Sequence, residues 1–208
     1  MSKGDRAEPN DCPDTAAPSV QSSVPPVYFE EMFAGNPDPW QFETSPYESE
    51  KYATSIGALA GRRYHGAFEV GCANGVLTER LASICETLLS IDVSSSALAS
   101  ARTRNSQTAH VKFQEMVFPG QTPNGWFDLI VLSEVVYYWS SGDIATAAAW
   151  ISQRLKAGGD LLLVHWIGET DYPQTGDGAV EQLRQGLPTM KIIRADRYEK
   201  YRLDLWRA

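Results

Sequence analysis

The sequence predicts an α/β domain, a three-layer sandwich around an open and mostly parallel sheet that ends in an antiparallel hairpin. Three observations predict it. Residues 67–92 read AFEVGCANGVLTERLASICETLLSID: a short apolar run, a glycine loop, a helical period, and a second apolar run ending on an acid. That order is one βαβ unit. Residues 127–132 are nearly all apolar, as a strand covered on both faces should be. Residues 191–198 and 201–206 read as two strands joined by a close turn at Glu199-Lys200, which makes them antiparallel. The chain is 208 residues long, enough for one domain with a substantial core.

Composition narrows the partners. A net charge of −8 argues against nucleic acid and anionic membrane surfaces, which need a basic face. No apolar run reaches the ~18 residues of a membrane span. No apolar leader opens the chain, and Cys12, Cys72 and Cys85 have no metal or redox spacing. The expectation is a cytoplasmic protein with free thiols.

The elements follow in order. Residues 1–26 are rich in Pro, Ser, Asp and Ala and read as a disordered tail. Residues 27–60 are dense in aromatics. Tyr28, Phe29, Met32 and Phe33 form a helical stripe, broken by Gly35-Asn36-Pro37-Asp38-Pro39. Ser45 caps a second helix with Pro46 at its first position, and Tyr47, Lys51 and Ser55 share one side of it. Aromatics joined by Pro-rich turns suit a cover, so this segment is expected to be a helical lid with Trp40 and Tyr47 facing ligand.

Gly71-Cys72-Ala73-Asn74-Gly75 is the tight loop of the βαβ unit. It lacks the second and third glycines of a dinucleotide fingerprint, and Glu69 just before it would repel a pyrophosphate. A ligand with a cationic amine and no phosphate fits better. Asp92 falls 17 residues after Gly75, where a carboxylate can accept both hydroxyls of a ribose. Downstream, Ser94-Ser95-Ser96 opens a helix over residues 94–105, and residues 111–118 form a third strand. The strand over 127–132 leads into Ser133-Glu134-Val135-Val136-Tyr137-Tyr138-Trp139. The carboxyl end of such a strand is where chemistry belongs. Asp143 is expected to cap the next helix. Lys156-Ala157-Gly158-Gly159 is expected to turn into a fifth strand over 160–164, which delivers His165 and Trp166 to the same edge. A polar loop over 168–178 precedes a short helix over 179–185, and the charges of the terminal hairpin are expected to be solvated.

Four segments in this order, EVGCANG, IDVS, WFDLIVLSEVVYYW and LKAGG, resemble the class I S-adenosylmethionine-dependent methyltransferases, which have a Rossmann-like fold. Ala73 is a departure, since the family more often has Gly there. With DPWQFETSPYESEKY before this core, the chain is similar to the rhizobial nodulation methyltransferases of the NodS type. The resemblance implies S-adenosylmethionine as cofactor, S-adenosylhomocysteine as product, no metal, and a partly deacetylated chitooligosaccharide as acceptor, methylated on its free amine in Nod factor synthesis. It implies that Glu115 and Met116 meet the adenine edge and Val93 its face. Gly71, Cys72, Ala73 and Gly75 would hold the methionine portion, Glu69 its amine and Asp92 the ribose, with Ser133 bordering the methyl. Glu134, Tyr137 and His165 are candidate catalytic residues. Tyr138, His165 and Trp166 would line the acceptor cleft, with Trp40 and Tyr47 above.

An amine acceptor asks little of the protein. At an ordinary amine pKa of ~8, about a tenth of it is neutral at pH 7, a shortfall of only ~1.4 kcal/mol. A hydroxyl acceptor would need a metal or a real base, and no clustered His and carboxylate pattern supplies one. The other readings are a methyltransferase of another small amine or hydroxyl, a nicotinamide dehydrogenase, and a non-catalytic binder of the same cofactor.

Overall fold

The structure, a computed structural model, describes residues 22–208. Most of the expected tail, with Cys12, lies outside the described residues. Five strands run parallel: β1 (Ala67–Val70), β2 (Leu88–Asp92), β3 (Val111–Glu115), β4 (Phe127–Ser133) and β5 (Leu155–Trp166). β6 (Lys191–Arg197) and β7 (Tyr201–Arg207) form the antiparallel hairpin. The sheet order is β3-β2-β1-β4-β5-β7-β6. Strand order reverses between β1 and β4, which opens a crevice at their carboxyl ends. The hairpin folds back, so β7 lies inside the sheet against β5, and β6 and β3 are its two edges.

Helices α1 (Pro26–Gly35), α2 (Pro46–Ala58), α3 (Val76–Ala82), α4 (Ser95–Arg104), α5 (Ser141–Arg154) and α6 (Gly176–Gly186) complete the layers. Alternate residues of the central strands face opposite ways. Ala67, Leu129, Val131 and Leu162 join Leu77 and Leu81 of α3 and Tyr52 of α2 in one cluster. Phe68, Ile130 and Leu161 join Ile144, Trp150 and Ile151 of α5 and Leu183 of α6 in the other. Phe68 has no exposed surface. Its ring lies 5.2 Å from Phe127, 5.3 Å from Trp150 and 5.6 Å from Phe118. Truncating such a ring to Ala costs about 3–5 kcal/mol.

Several expectations are corrected. Residues 22–25 belong to the fold: Val24 N–H donates to Tyr138 O at 2.9 Å, and the Ser23 hydroxyl accepts Ser140 N–H at 2.7 Å. Ser140, rather than Asp143, caps α5, its Oγ accepting Asp143 N–H at 3.1 Å. The turn expected at residues 156–159 is an irregularity inside β5, where register passes from Phe127↔Leu155 to Leu129↔Asp160. α6 begins at Gly176 because the Thr175 side chain accepts from Gly178 N–H at 3.0 Å, which outweighs the poor helix propensity of two glycines. Nor are the hairpin charges all solvated. Asp204 is 2% exposed and takes a bidentate bond from Arg202, at 2.7 and 2.9 Å.

Candidate active site

The carboxyl ends of β1, β2 and β4 open into a cavity of about 600 Å³, roofed by α1, α2 and the chain between them. Its first wall is the glycine loop. Gly71 N–H and Cys72 N–H donate to Ile91 O at 2.8 and 3.0 Å, tying the loop to β2. Gly71 has φ +74, and a Cβ there would fall 2.3 Å from Val135 Cγ1. Ala73 has φ +48, in the left-handed region that a non-glycine residue seldom enters. Its N–H is held by Asp92 Oδ2 at 2.9 Å, while Asp92 Oδ1 accepts Ser94 N–H at 2.9 Å. Asp92 therefore fixes the loop and the start of α4 together. Burial pushes its pKa up, opposed by the N–H donors of Ser94, Ala73 and Val93.

Glu69 is 2% exposed and lines the same wall. Its Oε2 accepts the hydroxyls of Thr78 and Ser90, both at 2.7 Å. Burial pushes its pKa up to about 7 against those two donors.

Two of the lid's attachments lie at the start of α4 and at the glycine loop. Glu30 of α1 accepts Ser94 Oγ at 2.7 Å, Ser96 Oγ at 2.6 Å and Ser96 N–H at 3.2 Å. It sits at the positive N-terminal end of α4, and the serine donors hold its pKa down at about 2. Asp38 accepts Phe42 N–H at 2.8 Å and Asn74 Nδ2 at 3.2 Å, joining the linker to the glycine loop. Between these anchors Phe29, Phe33 and Trp40 face the cavity, with Trp40 edge-on to Phe33 at 5.5 Å.

The adjoining wall is the end of β4. Glu134 has φ +58 and three donors on its carboxylate. Lys51 Nζ reaches Oε1 at 2.7 Å, and the Tyr137 hydroxyl and Trp166 N–H reach Oε2, both at 2.8 Å. Burial alone would raise its pKa, but the charge and hydrogen bond of Lys51 win and hold it below the usual range. Lys51 is 3% exposed and also donates to Glu48 Oε1 at 2.9 Å. Burial would lower the lysine pKa, yet the two carboxylates raise it. Tyr137 stacks on Tyr172 at 5.6 Å with nearly parallel rings, and Tyr138 meets both Tyr172 and Phe29 edge-on.

Most of the expected site residues meet on this cavity. Trp40, Tyr47, Glu69, Gly71, Cys72, Ala73, Asp92, Val93, Met116, Ser133, Glu134, Tyr137, Tyr138 and Trp166 all line it. Three do not. Gly75 is packed against α4, where a Cβ would lie 2.7 Å from Asn105 Nδ2. Its positive φ of 80° shapes the turn into α3 from behind. Glu115 is exposed on β3, because strand alternation turns only one of two adjacent residues inward. Met116 is the inward one, and its N–H is already given to Asp92 O at 3.0 Å. His165 is fully buried, one residue short of the cavity. Its Nε2 accepts Val136 N–H at 3.3 Å, and burial pushes its pKa down to about 4. That histidine supports the backbone after β4 and is a neutral core residue. Sequence reading did not reach Lys51, Glu48, Phe29, Phe33 or Tyr172. The available signals were Lys51 sharing a helix side with Tyr47 and Ser55, and Phe29 and Phe33 lying on the aromatic stripe of the lid.

The residues present fit an adenosyl-amino-acid cofactor. The loop has no room for a Cβ at Gly71, Asp92 stands at the carboxyl end of β2, and Met116 and Val93 offer an apolar wall beyond it. Among the described residues, no three His, Cys, Asp or Glu side chains gather as a metal-binding group, and no helix is long and apolar enough to cross a membrane.

Comparison with known proteins agrees with this fold. The family described as Nodulation protein S (NodS) matches residues 30–165. Nodulation protein S of Rhizobium tropici is 36% identical over 129 residues, which is 60% of this chain and 53% of that protein. The chain thus spans about half the length of the curated relatives it matches. A crystal structure of a candidate methyltransferase from Pseudomonas syringae is 33% identical, with a TM-score of 0.68 over 78% of this chain and 99% of that one. The N-methyltransferase NodS from Bradyrhizobium japonicum WM9, crystallised with S-adenosyl-L-homocysteine, shares the fold at 24% identity. Its TM-score is 0.73 over 87% of this chain and 96% of that one.

Proposed function

The chain belongs to the Nodulation protein S (NodS) family, and from that premise we propose that it is an S-adenosylmethionine-dependent N-methyltransferase. Its acceptor is the free amine of the non-reducing-end glucosamine in a de-N-acetylated chitooligosaccharide, on the way to Nod factor. The observation that carries the reading is Glu134, a carboxylate held ionised at the end of β4, on the same cavity as the glycine loop and Asp92.

The cofactor, when bound, supplies an activated methyl group on a sulfonium. The chain supplies position and surroundings. Gly71, Cys72 and Ala73 shape the cradle for its amino-acid end, Asp92 takes the ribose hydroxyls, and Val93 and Met116 flank the adenine. Glu134 receives the acceptor amine by a charge-assisted hydrogen bond and orients its lone pair. A strong base is not required, because the amine is short of its neutral form by only ~1.4 kcal/mol at pH 7. Tyr138, Tyr172 and Trp166 offer aromatic faces to the apolar C–H faces of the sugar. Holding the two reactants in line can contribute up to ~7–11 kcal/mol. α1 and α2 act as the lid that excludes water.

The test is a mass-spectrometric methyl-transfer assay with chitooligosaccharides in matched pairs, fully acetylated and deacetylated at the non-reducing end. A one-methyl gain in the deacetylated member alone supports the reading. No gain in either, with S-adenosylhomocysteine still bound, removes the sugar acceptor and leaves methyl transfer to another small amine as the reading to pursue.

A further inference from the structure

Lys51 is the single Lys or Arg among the described residues that line the cavity, against five carboxylates: Glu48, Glu69, Asp92, Glu134 and Asp143. We infer that Lys51 is a positioning residue of the active site: its ammonium, carried in on α2, holds the Glu134 carboxylate charged and in place, while Glu48 anchors the other side of the ammonium.

The geometry is specific. Lys51 Nζ bonds Glu134 Oε1 at 2.7 Å across 83 residues of sequence and Glu48 Oε1 at 2.9 Å one helical turn away. The ammonium lies 5.1 Å from the Tyr47 ring centroid, so an aromatic face closes a further side. Of the three donors on Glu134, the Tyr137 hydroxyl and Trp166 N–H belong to the sheet edge, and only Lys51 comes from the lid. The other titratable groups facing this cluster are Tyr47 and Tyr52 of α2, Tyr137 and Tyr138 after β4, His165 of β5 and Tyr201 of β7, with Lys200 against the Tyr47 ring.

Stability alone gives little reason for such an arrangement. A buried ion pair gains little over well-packed apolar side chains of the same volume, and two carboxylates on one ammonium gain less. What the ammonium does supply is a charge state. Burial drives a carboxylate towards its neutral form, and a neutral Glu134 could not take a charge-assisted bond from an acceptor amine. Lys51 reverses that tendency. It also makes the ionised form depend on α2 being seated, so that the carboxylate is fully prepared only beneath a closed roof.

This inference rests on Glu134 receiving the acceptor amine, but its first readout does not. Carbon-13 NMR of protein labelled at the glutamate carboxyl carbon, with Glu134→Gln to assign the resonance, follows Glu134 through a pH titration. In the wild type its midpoint lies below the ordinary glutamate range. In Lys51→Met it is expected to rise by more than about one pH unit, a tenfold change in proton affinity, and Lys51→Arg is expected to restore it. Lys51→Met strands two carboxylates, so Lys51→Met with Glu48→Gln serves as the second variant. It restores the cluster's original net charge, and the Glu134 midpoint must rise there too. The second readout is methyl transfer. Lys51→Met should move the acid limb of the kcat profile up in pH with the Glu134 midpoint, so that deep on that limb kcat is about tenfold lower than in the wild type; Lys51→Arg should recover most of the loss. A midpoint that stays put in both Met variants overturns the inference, and so does a raised midpoint with kcat unchanged. If the wild type methylates no sugar amine, the failure falls on the functional reading, and the midpoint still decides the Lys51 contact.

Discussion

The two ends of the cavity are built by different means. The end formed by β1, β2 and the glycine loop is mainly backbone: Gly71 and Cys72 tie to Ile91 O, and Ala73 is held in a left-handed conformation by Asp92. Its elements are neighbours in sequence. The end formed by β4, β5 and α2 is mainly side chain: Lys51, Glu48, Glu134 and Tyr137 hold one another through charges and hydroxyls brought from separate parts of the chain. The difference suits the two partners of the proposed reaction. A cofactor of fixed structure can be met by fixed backbone. An acceptor amine has to be met by a group whose charge is set, and only side chains can set charge.

This contrast can be broken by mutation, and the largest effect is expected at Glu134. Glu134→Gln keeps the shape and removes the charge. Turnover on an amine acceptor should fall by about a hundredfold or more, while S-adenosylhomocysteine affinity measured by calorimetry changes far less. Equal losses in both would mean that the carboxylate serves the cofactor, and the two ends would merge. Asp92→Ala is the converse. It removes the proposed ribose acceptor and the anchor of Ala73, so the dissociation constant should rise at least about tenfold, the worth of one hydrogen bond to a charged group. Unchanged affinity would remove Asp92 as the anchor of the cofactor end.

The same contrast explains what could be read from the sequence. The βαβ unit, its loop and Asp92 were legible because they are contiguous, and each residue's place follows from local conformation. Glu134 was legible as the residue after an apolar strand. Its partner was not, because nothing in a linear sequence links positions 83 apart. Glu115 departs for another reason: it closes β3 and Met116 follows it, so only one of the two can face the cavity, and which one depends on register. His165 was placed at the right edge but on the core side of it. Ser23 lay in a stretch of disorder-prone composition, yet it accepts Ser140 N–H beside the cavity. Composition does not register a single capping contact of that kind.

A smaller effect separates the two ends by pH. Glu69, at the cofactor end, has its pKa pushed by burial from 4.5 to about 7. A raised carboxylate contributes stability that is full below pH 4.5 and is lost as pH rises towards 7. His165, at the acceptor end, is pushed by burial from 6.5 to about 4. Its contribution is full above pH 6.5 and is lost as pH falls towards 4, because the unfolded chain takes the proton first. In the shared window the slopes oppose, each up to ~1.4 kcal/mol per pH unit. Denaturant unfolding between pH 4.5 and 6.5 should show this as differences from the wild type. The stability of Glu69→Gln should decline more steeply on acidification, and that of His165→Gln less steeply. Parallel shifts with no change in slope would mean that neither group titrates as its burial implies.

The smallest effect is at Ala73, and it tests whether the cofactor end is recognised through backbone alone. Ala73 holds φ +48, a conformation that costs a non-glycine residue about 1–2 kcal/mol. Ala73→Gly removes that strain but adds freedom to the unfolded chain, worth about 0.5–1 kcal/mol the other way. The balance is a stabilisation of at most ~1.5 kcal/mol, and each kcal/mol gained should raise Tm by about 2–4 °C in a domain of this size. Gly71 is the control within the same loop. There Gly71→Ala meets both positive φ and a 2.3 Å approach to Val135 Cγ1, so it should destabilise the protein and weaken cofactor binding together. If the backbone alone does the recognising, Ala73→Gly should leave S-adenosylhomocysteine affinity unchanged while Tm rises. A weaker affinity alongside a higher Tm would show that the Ala73 methyl group touches the ligand. Part of the cofactor end would then be read by a side chain, and the division between the two ends would be one of degree.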